Sequence, residues 1–176
     1  EYVYAAVNTY KAVGDTVKAL QILQKGRKLL PGDKSLLFEE ANIYNNCKDY
    51  KALARLLPQL LDDNTNNADI AFIAANCYDH LNEYDKAESL YLRTIELSST
   101  LYDPVFNLGL LYLKVSQLKK DNADKNLSRA IQWLEKANEI SPNDIKCLQL
   151  LQLAYTREDN NYQLDKINNK LKLLTN

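Results

Sequence analysis

One interval governs this chain. Tyr10, Tyr44, Tyr78 and Tyr112 follow one another at 34 residues. Tyr4, Phe38, Phe72 and Phe106 keep the same interval, as do Asn8, Asn42 and Asn76, and the pair Tyr50 and Tyr84. Several residue series sharing one period mark a repeated supersecondary unit rather than a single globular core. The local pattern inside the unit is helical. Ala71, Ala74, Ala75 and Tyr78 fall at i, i+3, i+4 and i+7, one face of a helix, and Ala87, Leu90, Tyr91 and Ile95 make the next stripe. The short "LNEY" between them reads as a turn. Each unit is therefore two antiparallel helices, and neither can bury its stripe alone, so units must stack.

Bulk composition removes other classes. Four Gly and four Pro in 176 residues are too few for a many-turned all-β fold. A net charge of −1 supplies no field for nucleic acid or a membrane surface. No apolar run is long enough to span a bilayer. Cys47, Cys77 and Cys147 are odd in number and far apart, which predicts buried single thiols rather than a disulfide framework. The chain opens at Glu1 without Met or a signal segment, so a fragment or processed form, a slice of a longer array, is expected.

"VFNLGLLYLK" (105–114) resembles the first helix of the tetratricopeptide repeat, with Leu108-Gly109 and Tyr112 in the motif's places. "YDKAESLYLRTIEL" (84–97) resembles its second helix, with Ala87 where the two helices approach. Pro31 and Pro142 take the closing proline's place. The resemblance covers essentially the whole chain and implies an all-α fold, a right-handed α-solenoid superhelix of about five units. Their expected bounds are 1–33, 34–67, 68–101, 102–144 and a capping unit 145–176. The chain also departs from the motif. Val3, Leu37, Ala71, Val105 and Leu148 stand where the motif has Trp, and Val7, Ala41, Ala75 and Gln152 where it has Gly. Pro58 is expected to kink or shorten its helix. Tyr112 and Tyr155 are 43 residues apart, which places an insertion at 114–128, read as a longer first helix and a polar loop before "LSRAIQWLEKANEI". The last helix carries an apolar stripe of Leu164, Ile167, Leu171 and Leu174 opposite a Lys- and Asn-rich face, as a terminal cap should. These features together look like tetratricopeptide proteins common in Bacteroidetes. Many of those are exported, so the resemblance implies a periplasmic or cell-envelope home over a cytoplasmic one.

Candidates for chemistry are few. Cys77, Asp79 and the single histidine, His80, share one helix turn. A zinc site needs further ligands, and a Cys–His nucleophile needs an orienting group and an oxyanion hole; no spacing marks either. His80 reads as a residue of the ligand-facing side, or as a solvated one. Four scattered glycines cannot form a phosphate-cradling loop. The chain is thus expected to have no catalytic residues, metal or cofactor.

In the repeat family the first helices line a concave groove. The resemblance then puts Tyr4, Phe38, Phe72 and Phe106 along that groove with Asn8, Asn42, Asn76 and Asn107, flanked by Asp79 and His80. Aromatic faces hold apolar side chains, and Asn donates to and accepts from a peptide backbone. The series is similar to the asparagine ladders of other peptide-binding helical superhelices. Packing of the aromatics between neighbouring first helices is the competing reading. Glu39, Asp69, Asp79 and Asp103 along the flank would repel an acidic tail, so a neutral or basic peptide or protein is the expected partner. The expected function is a non-enzymatic binding scaffold. The alternative is a structural spacer or self-association module of a larger envelope protein.

Overall fold

A computed structural model describes residues 2–63, 66–118 and 120–175, with only the backbone for residues 63 and 120. Among them are ten α-helices, one short 3-10 turn and no strand. They divide into two compact units, Glu1–Glu83 and Tyr84–Asn176. The first holds α1 (Tyr2–Ala12), α2 (Thr16–Leu29), α3 (Lys34–Asn46), α4 (Tyr50–Asp63) and α5 (Ala68–His80). The second holds α6 (Tyr84–Leu97), α7 (Tyr102–Leu118), the 3-10 turn Lys120–Asn122, α8 (Ala123–Ile140), α9 (Ile145–Arg157) and α10 (Asn161–Thr175). Within each unit every helix packs on the next in sequence, and α3 also meets α5 and α7 meets α9. That second contact is the signature of stacked hairpins rather than of a closed bundle.

The turns explain why the helices stop where they do. Gly14, Lys48, Asn82 and Asp159 have φ of 77°, 58°, 62° and 56°, the left-handed conformation that ends a helix. In each case the following amide reaches back to the carbonyl of a tyrosine of the first helix. Asp15 N donates to Tyr10 O, Asp49 N to Tyr44 O and Glu83 N to Tyr78 O, each at 2.9 Å, and Asn160 N donates to Tyr155 O at 3.0 Å. Side-chain caps then start many of the helices. Asp15 accepts from Lys18 N at 3.1 Å, Asp49 from Ala52 N at 3.0 Å, Asn67 from Asp69 N at 2.9 Å and Asp144 from Cys147 N at 2.7 Å.

Small and branched side chains fill the space between helices. Ala19, Ala41, Ala74, Ala75, Ala87, Ala130, Ala137 and Ala154 are fully or almost fully buried, with Leu23, Leu53, Leu57, Leu108, Leu134 and Leu151 beside them. Gly109 lets α7 approach α8: a Cβ there would stand 2.8 Å from Leu134 Cγ. Gly26 of α2 does the same toward Val3 of α1 and Leu36 of α3. The tyrosine series ties one hairpin to the next through its hydroxyls. Tyr112 donates to Glu88 of α6 at 2.5 Å and Tyr155 to Glu135 of α8 at 2.6 Å, while Tyr44 accepts from Gln24 Nε2 of α2 at 3.2 Å.

Three expectations need correction. The insertion is not a polar loop: α7 runs on to Leu118 and α8 begins at Ala123, one turn before "LSRAI". Leu127, Ala130, Ile131 and Leu134 form an apolar stripe that carries the helix back into polar sequence. Lys119 lies outside the described residues. Pro58 does not shorten α4, which continues through it to Asp63. Pro58 is exposed, so water can reach the carbonyl that loses its donor. Finally, Cys47 is exposed, because it is the C-cap of α3 at a turn; only Cys77 and Cys147 are buried.

Candidate functional site

The expected groove residues in unit 1 sit on α1, α3 and α5. Phe38, Asn42, Phe72 and Asn76 are each half-buried, on successive first helices that pack on one another in the case of α3 and α5. Asn8 is exposed. Tyr4 has a structural duty as well. It packs against the cluster of Val7, Ala19, Leu23, Leu36 and Ile43, and its hydroxyl donates to Asp33 at 3.0 Å. Asp33 in turn caps α3 by accepting from Ser35 N at 3.0 Å. Burial pushes the Tyr4 phenol pKa up, so the hydroxyl keeps its proton. Tyr4 therefore joins α1 to the start of α3. In unit 2, Phe106 stacks on Tyr102 with ring centroids 5.4 Å apart, and Asn107 is half-buried beside it.

Asp79 and His80 part company although they are adjacent. Asp79 is 7% exposed, inside the last turn of α5, and offers little to a partner. His80 is exposed and stacks on Tyr50 of α4, ring centroids 4.1 Å apart and planes within 11°. Cys77 is fully buried and its Sγ donates to Tyr50 O at 3.3 Å. Burial pushes the Cys77 thiol up to about 11, which is the opposite of nucleophile activation. Among the described residues no three His, Cys, Asp or Glu side chains gather where a metal ion could be held. No described helix is long and apolar enough to cross a membrane. Of the remaining flank carboxylates, Asp69 and Asp103 are exposed, and Glu39 pairs with Lys11 at 2.9 Å.

Two features escaped the sequence reading. Glu40 is 3% exposed on α3 and takes Arg27 Nη1 of α2 at 2.5 Å; Arg27 Nη2 continues to Gln59 Oε1 of α4 at 3.0 Å. Three helices of unit 1 are tied through one guanidinium. The second is an apolar groove of about 760 Å³ between α1 and α2, lined by Tyr2, Ala6, Tyr10, Val13, Ile22 and Leu29. The signal for it was the apolar character of α1 on two faces, one matching the core and one left over.

A tetratricopeptide-repeat family model matches residues 72–104. The crystal structure of MamA protein superposes with a TM-score of 0.85 at 20% identity, covering 97% of this chain and 88% of that one. MamA from Desulfovibrio magneticus RS-1 gives 0.85 at 18% identity over 98% and 93% of the two chains. This chain has the tetratricopeptide-repeat fold. YrrB, described as a tetratricopeptide-repeat protein with an unusual peptide-binding site, shares that fold at a TM-score of 0.77 and 16% identity, over 96% of this chain and 82% of its own. No curated protein sequence matches the chain. The repeat fold accounts for the 34-residue period and leaves the ligand to the side chains.

Proposed function

We propose that the chain is a non-enzymatic scaffold that captures a peptide or protein on the first-helix face of unit 1. The observation that carries this reading is the pairing of half-buried Phe38 with Asn42 on α3 and of Phe72 with Asn76 on α5. Rings and amides alternate there, which suits an extended segment: the rings take its apolar side chains and the amides its backbone. Asn8 and His80 extend the face, and Phe106 with Asn107 offers a like pair on α7 of unit 2. Exposed Asp69 and Asp103 favour a neutral or basic ligand over an acidic one. YrrB supports the reading by sharing the fold and being described with a peptide-binding site.

The test is selection from a displayed peptide library, followed by binding to a triple variant, Phe38→Ala, Phe72→Ala and Asn76→Ala. Loss of binding with the melting curve preserved bears the scaffold out. Unchanged binding rejects the face. A collapse in thermal stability assigns the aromatics to packing instead.

A second reading, a structural spacer or self-association module, rests on the α1–α2 groove. Tyr2 is 86% exposed and Leu29 78%, an apolar surface that a second copy of the chain would cover. Light scattering decides it: a monomer at high concentration rejects self-association, and Leu29→Lys should dissociate an oligomer.

A further inference from the structure

The insertion in unit 2 plays no part in that function, yet it builds a cleft. The long end of α7, the 3-10 turn Lys120–Asn122 and the first turns of α8 meet the start of α6. The space between them is about 210 Å³, with Glu88 of α6, Tyr112 of α7, and Asn122, Lys125, Asn126 and Arg129 of α8 among its walls. One wall is satisfied internally. Tyr112 donates its hydroxyl to Glu88 at 2.5 Å, and the Arg129 guanidinium lies over the Tyr112 ring at 5.3 Å. Arg129 stands 4.0 Å from Glu88, outside hydrogen-bond reach, so it retains N–H donors for another acceptor.

The α8 wall is not satisfied. Asn126 is 8% exposed, and its amide faces the cleft without a hydrogen-bond partner among the described residues. A buried primary amide is normally paired, and one that is not marks a place for something else to bind. Asn122 is the N-cap of α8 but makes no side-chain capping bond, so the first amides of this 18-residue helix lack a side-chain acceptor. Lys125 lies one turn before Arg129, on the same side of the helix. Helix amides, an unpaired amide, an ammonium and a guanidinium all present donors to one small space.

We infer that this cleft binds a carboxylate group. The donor set calls for an anion, and a planar carboxylate suits a guanidinium. Glu88 and Asp85 on the α6 side oppose a dianion, which argues against phosphate. The volume is below the usual range for drug-sized ligands, which admits a small acid or one acidic terminus but not a nucleotide.

The experiment is a ¹H–¹⁵N correlation titration of the full chain at fixed ionic strength. The probes are glutarate, and an acetylated tripeptide as free acid and as C-terminal amide. The Asn126 side-chain amide and the backbone amides of Ala123 and Asp124 should shift saturably, with a Kd of about 1 mM. Arg129→Gln should weaken binding roughly tenfold. Lys125→Gln, on an exposed side chain, should weaken it several-fold and keeps the test decisive if the arginine variant fails to fold. A response to glutarate assigns a free small acid; a response to the peptide acid alone, and not its amide, assigns a polypeptide carboxylate. Either supports the site. No saturable shift, the same shifts with chloride, or binding unchanged in the folded variants overturns it.

Discussion

Gly109→Ala is the sharpest probe of how these helices pack. The added Cβ would meet Leu134 Cγ at 2.8 Å, Cδ2 at 3.0 Å and the Leu134 backbone nitrogen at 3.1 Å. A leucine side chain can rotate away, but a backbone nitrogen inside α8 moves only with its helix. Forced overpacking of this kind costs about 1–3 kcal/mol. Alanine in a helix interior returns about 1 kcal/mol relative to glycine. The expected net loss is about 1 kcal/mol, or roughly 2–4 °C in Tm for a chain of this size. Gly26→Ala is the control. Its Cβ would meet only side-chain ends, Val3 Cγ1 at 2.9 Å and Leu36 Cδ1 at 3.3 Å, so strain and propensity nearly cancel and stability should stay within about 0.5 kcal/mol. Urea unfolding of both variants measures the difference. Gly109→Ala as stable as the parent at an unchanged m-value would refute the argument, and so would equal losses at both sites.

Lys48 holds φ 58° in the turn between α3 and α4. A non-glycine residue there costs about 1–2 kcal/mol, against about 0.5–1 kcal/mol of chain entropy for glycine, so Lys48→Gly should stabilise by about 0.5 kcal/mol in the same urea assay. Arg27→Met leaves the buried Glu40 carboxylate without its cation. Because the arginine is itself part-exposed, the expected loss is about 2 kcal/mol, below the full value for a buried pair. A disulfide reagent at pH 8 should modify Cys47 quickly and reach Cys77 and Cys147 only after unfolding; a second fast thiol would contradict their burial. Those two thiols are pushed from an ordinary 9.0 up to about 11 by burial. The unfolded chain therefore loses these protons first. Their stabilising contribution is intact below pH 9 and falls as pH rises through 11, and replacing both cysteines with Ala should flatten that part of the stability–pH curve.

The fold was legible because its determinants are periodic in side-chain type. Aromatic, alanine and proline positions recur, and helical spacing turns each stretch into a stripe. The turn geometry recurs just as strictly, at Gly14, Lys48 and Asn82, yet no side chain is shared there. What repeats is a backbone conformation, and composition does not carry it. Polarity also misled. The residues before "LSRAI" looked like a loop, but one face of a helix can be wholly solvated while the other packs. Asp79 looked like a surface charge because it is ionisable; the last turn of α5 buries it. Tyr4 was read as a groove residue, and its hydroxyl instead reaches a helix cap.

Periodicity and function point in different directions in this chain. The tyrosine hydroxyls that recur bond to Gln24, Glu88 and Glu135 on the preceding second helices, so the strongest repeat reports what stacking requires. A residue needed by every hairpin cannot distinguish one ligand from another. Individual chemistry must sit where the repeat is broken or where its side chains have polar capacity left over. The insertion meets both conditions at once. It lengthens α7, starts α8 without a side-chain cap, and leaves Asn126 buried and unpaired in a cleft that a 34-residue unit would lack. Shortening 114–128 to the standard repeat should therefore preserve the stack and any peptide binding on α3 and α5. The same change should abolish carboxylate-dependent shifts around α8. If both responses disappeared together, stacking and ligand capture would not be separable in the way the side chains indicate.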